Sequence, residues 1–400
     1  NLISRFDRKH YFYPDSPKGY QITQMYQPII GPGFVELPNG TKIRIEHAHL
    51  EGDAGKLTHF DTYSLVDLNR ADTPLIEIVS MPDIHSKEDA RDYCKELWRI
   101  LTFAGVTYGD LYNGNMRFDV NISLAKKGST ELGTRAEIKN LNSFRSVEMA
   151  VDYEYHRQKK LLDNGEKIVQ ETRGWNDNTG KTTSQRSKEE ANDYRYMPEP
   201  DIPPIHLTEE YVEAERAKLV RLPADYRAML RVVIPEEQLE ILLDHQNLVE
   251  SLAELKSAYD ADGIEKEITK NAIQKISNLY TSVLLAEENS SLLNDELPTT
   301  MQLRELAEMI NKNELSSTSV KEVFLRFFDP NMHHKSAREI AKELNLLQEN
   351  DLGALSDIVG QVLTDPACAQ AVADFKAGSE KVIGFLVGQV MKASKGKANP

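Results

Sequence analysis

The chain has 400 residues, 40% of them hydrophobic and 28% charged, with a formal net charge of −15, the make-up of an ordinary globular protein with room for two or three domains. Its longest apolar runs are a handful of residues, far below the roughly 20 that a membrane-spanning helix needs, and the acidic balance argues against a protein that coats nucleic acid non-specifically. Cys94 and Cys368 are too few and too far apart for a disulfide framework or a zinc site and suit a reducing compartment; no secretory signal opens the chain, and a start at Asn1 rather than Met leaves room for an upstream segment.

The opening stretch, Arg5 to Gln24, crowds Arg8, Lys9 and Lys18 among aromatic rings, with Pro14 and Pro17 fixing φ. It reads either as a rigid surface for phosphate or carboxylate oxygens or as a surface loop pinned by its aromatics. Phe34-Val35-Glu36-Leu37 and Thr41-Lys42-Ile43-Arg44-Ile45 flank Pro38-Asn39-Gly40, the pattern of a hairpin with an Asn-Gly turn. Glu51-Gly52-Asp53-Ala54-Gly55-Lys56, preceded by His47 and His49, reads as an acidic, glycine-bearing turn. Its oxygen ligands suit Mg²⁺, and a solvated turn is the alternative. Glu77 lies in the strand-like run Pro74-Leu75-Ile76-Glu77-Ile78-Val79, where a buried carboxylate needs a partner and an edge one faces water.

Ser86-Lys87-Glu88-Asp89 resembles a capping box. The spacing of Ala90, Tyr93, Cys94, Leu97, Trp98 and Leu101 then predicts a helix stopped by Gly105. Asn115 to Ser123 alternates, with Met116, Phe118, Val120 and Ile122 on one face and Arg117, Asp119, Asn121 and Ser123 on the other, a half-buried strand. Arg135, Glu137 and Lys139 sit on a second alternating stretch. Facing Arg117 and Asp119, they form either a surface that stabilises a transferring phosphoryl group or a lattice of cross-strand salt bridges. A further helix is expected from after Asn142-Ser143 to about Leu162, ended by Asn164-Gly165.

Pro198 to Pro204 is a stiff extended segment and marks a boundary. From about Thr208 the pattern is helical, with breaks near Gly263, Pro298 and Asp329-Pro330, and Lys381 to Pro400 is a basic patch with Lys381, Lys392, Lys395 and Lys397. No P-loop or Rossmann glycine signature occurs in its expected context.

An ordered set of segments resembles the B-subunit family of the bacterial and organellar tRNA-dependent amidotransferases. The set comprises Phe6-Asp7-Arg8-Lys9-His10-Tyr11-Phe12-Tyr13-Pro14-Asp15, Lys18 to Ile22, Asp53 to Lys56, Ser64 to Arg70, Thr73 to Ser80, Glu137 to Phe144, Gln170 to Arg173 and Asp193 to Asp201. The resemblance implies an α+β chain: an antiparallel-sheet cradle carrying catalysis over residues 1–207, a helical linker over 208–295 and a helical tRNA-binding tail over 296–400. It implies that ATP and Mg²⁺ serve to phosphorylate the side-chain carboxylate of Glu-tRNA(Gln) or Asp-tRNA(Asn), in a ligase that completes aminoacyl-tRNA for translation. Ammonia from a partner amidase (A) subunit then displaces the phosphate, with a small C subunit completing the complex, in the cytoplasm of bacteria or in an organelle.

On the same resemblance, Lys9, Lys18, Arg117, Arg135 and Lys139 are candidates for phosphate handling or the ammonia path, and Arg8, Asn69 and Arg70 for the nucleotide. Glu77 and Glu51 are candidates for the metal, and Lys392, Lys395 and Lys397 for tRNA. Departures are visible. A Gly-Leu-Glu-Val-His strand expected upstream has no match, nor does a cysteine zinc site, and relatives continue past the last residues with another helix. Gly52 stands where the family usually has a second Glu, Asp72 where it has Gly, and Met81 where it has Glu. Asn113 and Asn115 stand at acidic and Ser positions. These departures leave a second reading open, a non-catalytic tRNA-binding scaffold of the same complex.

Overall fold

The computed structural model describes residues 1–187, 194–348 and 352–393 and divides into two compact units, Asn1–Val220 and Arg221 onward. The first is α+β and the second helical, the class expected from the sequence.

The first unit opens with β1 (Ile3–Ser4), β2 (Asp7–His10), β3 (Tyr20–Thr23), β4 (Gly33–Glu36), the long β5 (Lys42–Gly52), β6 (Lys56–His59), β7 (Ser64–Asp67) and β8 (Pro74–Ser80). Helix α1 (Lys87–Phe103), β9 (Phe118–Ile122), β10 (Ala136–Leu141), α2 (Phe144–Asp163), β11 (Glu171–Asn176) and β12 (Lys181–Ser187) follow. The unit ends with β13 (Met197–Pro198), β14 (Ile205–His206) and α3 (Glu209–Arg216).

The predicted hairpin forms as β4 and β5, and Gly40 alone supplies the positive φ, at 84°. Asn39 instead accepts the Thr41 amide through Oδ1 at 2.9 Å. Strand β5 runs further than the sequence suggests. Glu51 and Gly52 close the strand rather than a turn, because β8 pairs along it from Ile45↔Ser80 to Gly52↔Pro74.

That ladder slips between Ile45 and His47. Ile45 belongs to the core, and so does the face of Ile78, which pairs with Ala48. Two residues separate Ile45 from Ala48, so the slip inverts the alternation and sends His47, His49 and Glu51 to the opposite face.

Helix α1 starts where Ser86 Oγ accepts the Asp89 amide at 3.0 Å and stops at Gly105, whose φ is 69°. Its buried face includes Glu96 and Arg99, paired at 3.4 Å, an ionic element that apolar periodicity does not reveal. Helix α2 begins at Ser143, which caps Ser146, and ends before Gly165 at φ 77°. It connects β10 to β11, and this pair is parallel, the one exception to the expected antiparallel pattern among the described strands. Parallel neighbours require such a crossover, and α2 provides it.

The sheet order β12-β11-β10-β9 places α2 and α1 over a core in which Ile43, Ile138, Val147 and Ala150 are fully buried. The proline-rich stretch returns to the sheets, since β13 pairs with β2 and β14 with β1.

The second unit contains α4 (Pro223–Leu230), α5 (Glu236–Leu242), α6 (Gln246–Ala261), α7 (Lys266–Leu279), α8 (Thr300–Asn311), α9 (Ser317–Arg326) and α10 (Ala337–Glu343). Then come α11 (Leu352–Thr364), α12 (Ala369–Lys376) and α13 (Ile383–Ala393). Thr299, Ser316 and Ser336 cap α8, α9 and α10 by accepting amides three residues on. One π turn, Tyr280–Leu284, extends α7 and seats the buried Tyr280 hydroxyl 2.7 Å from Ser251. A small cluster of Val362, Cys368 and Leu386 joins α11 to α13. Among the described residues no helix is long and apolar enough to cross a membrane.

Ile138 is fully buried in β10 between Glu137 and Lys139. Ile138→Ala is expected to cost about 3 kcal/mol, read from the urea midpoint of unfolding.

Candidate functional site

The face that the β5 slip turns outward carries the densest chemistry of the first unit. Register sets His49 opposite Glu77 on β8, and Glu51 follows two residues later on the same face. One ligand atom from each of His49, Glu51 and Glu77 lies within 4.8 Å of the others. His49 and Glu51 are buried, and Glu77 is exposed on the edge strand.

Glu51 is held at both oxygens. Thr23 Oγ1 donates to Oε1 at 2.7 Å, and Gln21 Nε2 donates to Oε2 at 3.1 Å. His49 Nε2 lies 3.2 Å and Lys9 Nζ 4.0 Å from Oε1. Burial would raise the Glu51 pKa, and the His49 bond, the Lys9 charge and the Thr23 bond outweigh it, so the carboxyl sits below its ordinary value. His49 Nδ1 is buried with no hydrogen-bond partner among the described residues. With Nε2–H donated to Glu51, that nitrogen has a free lone pair. Lys9 also lies over the Tyr194 ring, 5.1 Å from its centroid. Burial, then the charge of Glu51, pushes the neighbouring Tyr196 hydroxyl up to about 12.

Glu51 and Glu77 open on a cleft of ≈ 2700 Å³ also lined by Lys9, Arg70, Arg117, Arg135 and Lys139, and His49 does not line it. Pockets for one small molecule run about 300–1,000 Å³, so this cleft exceeds that range. Asp53 holds both Arg70, at 2.8 Å, and Arg117, at 3.3 Å, while Arg70 also donates to the Gly114 carbonyl. Lys139 pairs with Asp119 across the β9–β10 ladder at 2.7 Å and approaches Glu137 at 3.5 Å. Burial alone would lower the Lys139 pKa; the two carboxylates reverse this and hold the ammonium charged. Arg135 is exposed and has no ion pair with any described residue.

Seven of the sequence-predicted residues thus share one cleft. Lys18, Arg8 and Asn69 do not line it. Lys18 lies in an adjoining hollow, 2.8 Å from Asp72. Arg8 is engaged by Glu199 through two bonds of 2.8 Å and by Asp201 at 3.1 Å, with its guanidinium over the Tyr20 ring. Asn69 turns back to Asp67. Lys392 is exposed in the last turn of α13, and Lys395 and Lys397 lie outside the described residues. The sequence pattern marks His49 without giving it a role, reads Asp53 as part of an acidic turn rather than as the holder of Arg70 and Arg117, and does not single out Thr23 or Gln21. The alternation His47-x-His49-x-Glu51 is the available signal for the first of these, once the segment is read as strand.

A family profile described as the GatB/GatE catalytic domain matches residues 1–213, and one described as the GatB domain matches residues 262–400. The chain belongs to the amidotransferase B-subunit family. Its relatives named as the B subunit of aspartyl/glutamyl-tRNA(Asn/Gln) amidotransferase include one from Thermodesulfovibrio yellowstonii, 44% identical over 99% of this chain and 82% of its own. Another from Persephonella marina is 43% identical over 100% of this chain and 82% of its own. A relative from Clostridium acetobutylicum, named as the second such B subunit of that organism, is 40% identical over 100% and 83%.

The Arg8 clamp makes a pH prediction. The Arg8 bonds hold the Glu199 carboxyl below its ordinary value of 4.5, against the opposing effect of burial. The unfolded chain therefore binds the proton more tightly, so the stabilisation is present above the ordinary value and lost as pH falls through the folded one. Glu199→Gln should be less stable than wild type at neutral pH, and the gap between their urea midpoints should close on acidification.

Proposed function

We propose that this chain is the subunit that activates the misacylated tRNA in a tRNA-dependent amidotransferase, using ATP and a divalent cation. The relatives' shared name supports the amidotransferase role. The observation that carries the mechanism is the meeting of Glu51 and Glu77 with five cations along one cleft, with His49 grouped beside the two carboxylates.

The reaction sets the requirement. A carboxylate oxygen is a poor leaving group. Transfer of the γ-phosphoryl of ATP to the side-chain carboxylate of Glu-tRNA(Gln) or Asp-tRNA(Asn) gives an acyl phosphate and ADP. Ammonia then attacks the carbonyl carbon, the C–N bond forms as the C–O bond breaks, and phosphate leaves while the nitrogen gives up a proton. Two carboxylates and a buried imidazole nitrogen without a partner suit a divalent cation, and Glu51, Glu77 and His49 would hold it. A bound Mg²⁺ supplies neutralisation of triphosphate charge.

The chain's own residues do the rest. Glu51, fixed by Thr23 and Gln21, keeps the cluster anionic and in place. Lys9, Arg117 and Arg135 lie along the cleft to receive phosphate oxygens, and Lys139, held charged by Asp119, offers a further donor. Arg70 orders the loop at the cleft rim through Asp53 and Gly114. The ammonia comes from a partner amidase (A) subunit, the small C subunit completes the assembly, and Lys392, Lys395 and Lys397 bind the tRNA backbone.

In the complex assembled with both partners, Glu77→Gln is expected to lower kcat for ATP-dependent amidation about 100-fold while tRNA affinity stays within about twofold. Undiminished amidation would remove Glu77 from the metal site, and no amide from the wild-type complex would sink the whole reading. Replacing Lys392, Lys395 and Lys397 by Gln should reduce the slope of log tRNA affinity against log salt by about 2–3, one counterion release per lost phosphate contact.

A further inference from the structure

Beside the acidic cluster, two residues each occupy a position that would suit the other. Gly52 has an ordinary extended backbone at the end of β5, so its conformation does not call for glycine. What excludes a side chain there is Asp72, because a Cβ on Gly52 would stand 2.8 Å from Asp72 Oδ1. Asp72 in turn has φ 61°, in the left-handed region. It is the third residue of the turn Arg70-Ala71-Asp72-Thr73, closed by the Thr73 amide on the Arg70 carbonyl at 3.0 Å. Positive φ at that position favours glycine.

The chain tolerates this arrangement for the sake of one contact. Asp72 Oδ1 takes Lys18 Nζ at 2.8 Å, and Lys18 Nζ also sits 5.2 Å from the centroid of the Tyr20 ring. Stability does not account for it. Both partners are substantially exposed, at 34% and 48%, and such pairs contribute little, while aspartate, though better tolerated in the left-handed region than most residues, remains less favourable there than glycine.

The turn is bolted to Asp53, the residue after β5, by the Asp72 amide on the Asp53 carbonyl, 2.8 Å, and the Asp53 amide on the Thr73 carbonyl, 2.9 Å. Gln21 links the pair to the acidic cluster, donating to the Gly52 carbonyl at 2.8 Å and to Glu51 at 3.1 Å.

We propose that Gly52 and Asp72 form a coupled pair in which the missing side chain at 52 makes room for a carboxylate delivered from 72, and that Asp72 is a positioning residue that aims Lys18 at the rim of the nucleotide cleft. What Lys18 meets there rests on the ATP-dependent reading above. The pairing itself does not.

Melting temperatures of the full chain carrying Gly52→Ala, Asp72→Gly or both test the pair without substrate. Gly52→Ala is expected to lower the melting temperature by about 2–4 °C when Asp72 is present and by under about 1 °C in the Asp72→Gly background. Equal losses in the two backgrounds overturn the pairing. In the assembled complex, Asp72→Asn keeps the shape and removes the charge. It should raise KM for Mg·ATP about fivefold with kcat within about twofold. An unchanged KM overturns the positioning role. A wild-type complex that forms no amide defeats the functional reading alone, because the melting cycle still decides the pair.

Discussion

The register slip in β5 between Ile45 and His47 lets one strand satisfy two demands that a regular alternation cannot. Up to Ile45 the odd-numbered side chains must fill the core beside Leu97 and Ile138, and a strict period of two would carry His47, His49 and Glu51 into that core as well. Three polar groups there would need partners that the apolar cluster does not have. One irregular step moves them to the far face, where β3 brings Thr23 and Gln21 and β8 brings Glu77. The metal-competent cluster and the hydrophobic core are therefore consequences of the same local irregularity.

The second constraint is charge. On the ATP-dependent reading proposed above the cleft needs cations, yet cations crowded without ligand repel one another and reach for solvent. Here the described cations are nearly all assigned to carboxylates: Lys9 to Glu51, Arg70 and Arg117 to Asp53, Lys139 to Asp119 and Glu137. The acids Glu51 and Asp53 are buried while the cations they hold are more accessible, Arg70 and Arg117 most of all, so on the reading proposed above it is the cations that turn from carboxylate to phosphate oxygen. Arg8 is different. Its two-pronged bond to Glu199, buried on the acid's side, ties β13 to β2 and makes it part of the frame. What separates the two settings is the guanidinium itself, for Arg8 is 21% exposed, Arg70 44% and Arg117 61%.

Where local chemistry decides structure, the sequence was legible. Ser86 and Ser143 cap their helices, Gly105 and Gly165 stop them, and Gly40 closes the first hairpin. The alternation from Phe118 to Ile122 is the observed strand. Long-range pairing was not legible. The length of β5, its slip and the parallel β10–β11 pair depend on partners far along the chain, and the buried Glu96–Arg99 pair hides in a helix face whose apolar residues alone carry the period. For the site, residue type and resemblance picked out Glu51, Glu77 and cations that the fold brings to one cleft. They did not reveal which of the candidates are already engaged, as Arg8 and Asn69 are by Glu199 and Asp67.

Local rules fail here in an informative place. Most of the first unit agrees across levels, from caps to turns to core, as a sequence that specifies one structure should. Asp72 takes a left-handed backbone, as Asn140 and Arg195 also do in this unit, Gly52 forgoes a side chain on an ordinary strand, and these two touch each other. Two independent defects would fall together at one contact only by coincidence. A single requirement explains both, namely a carboxylate beside Lys18 that cannot be supplied from β5 without crowding the turn, and so is supplied from the turn while β5 withdraws.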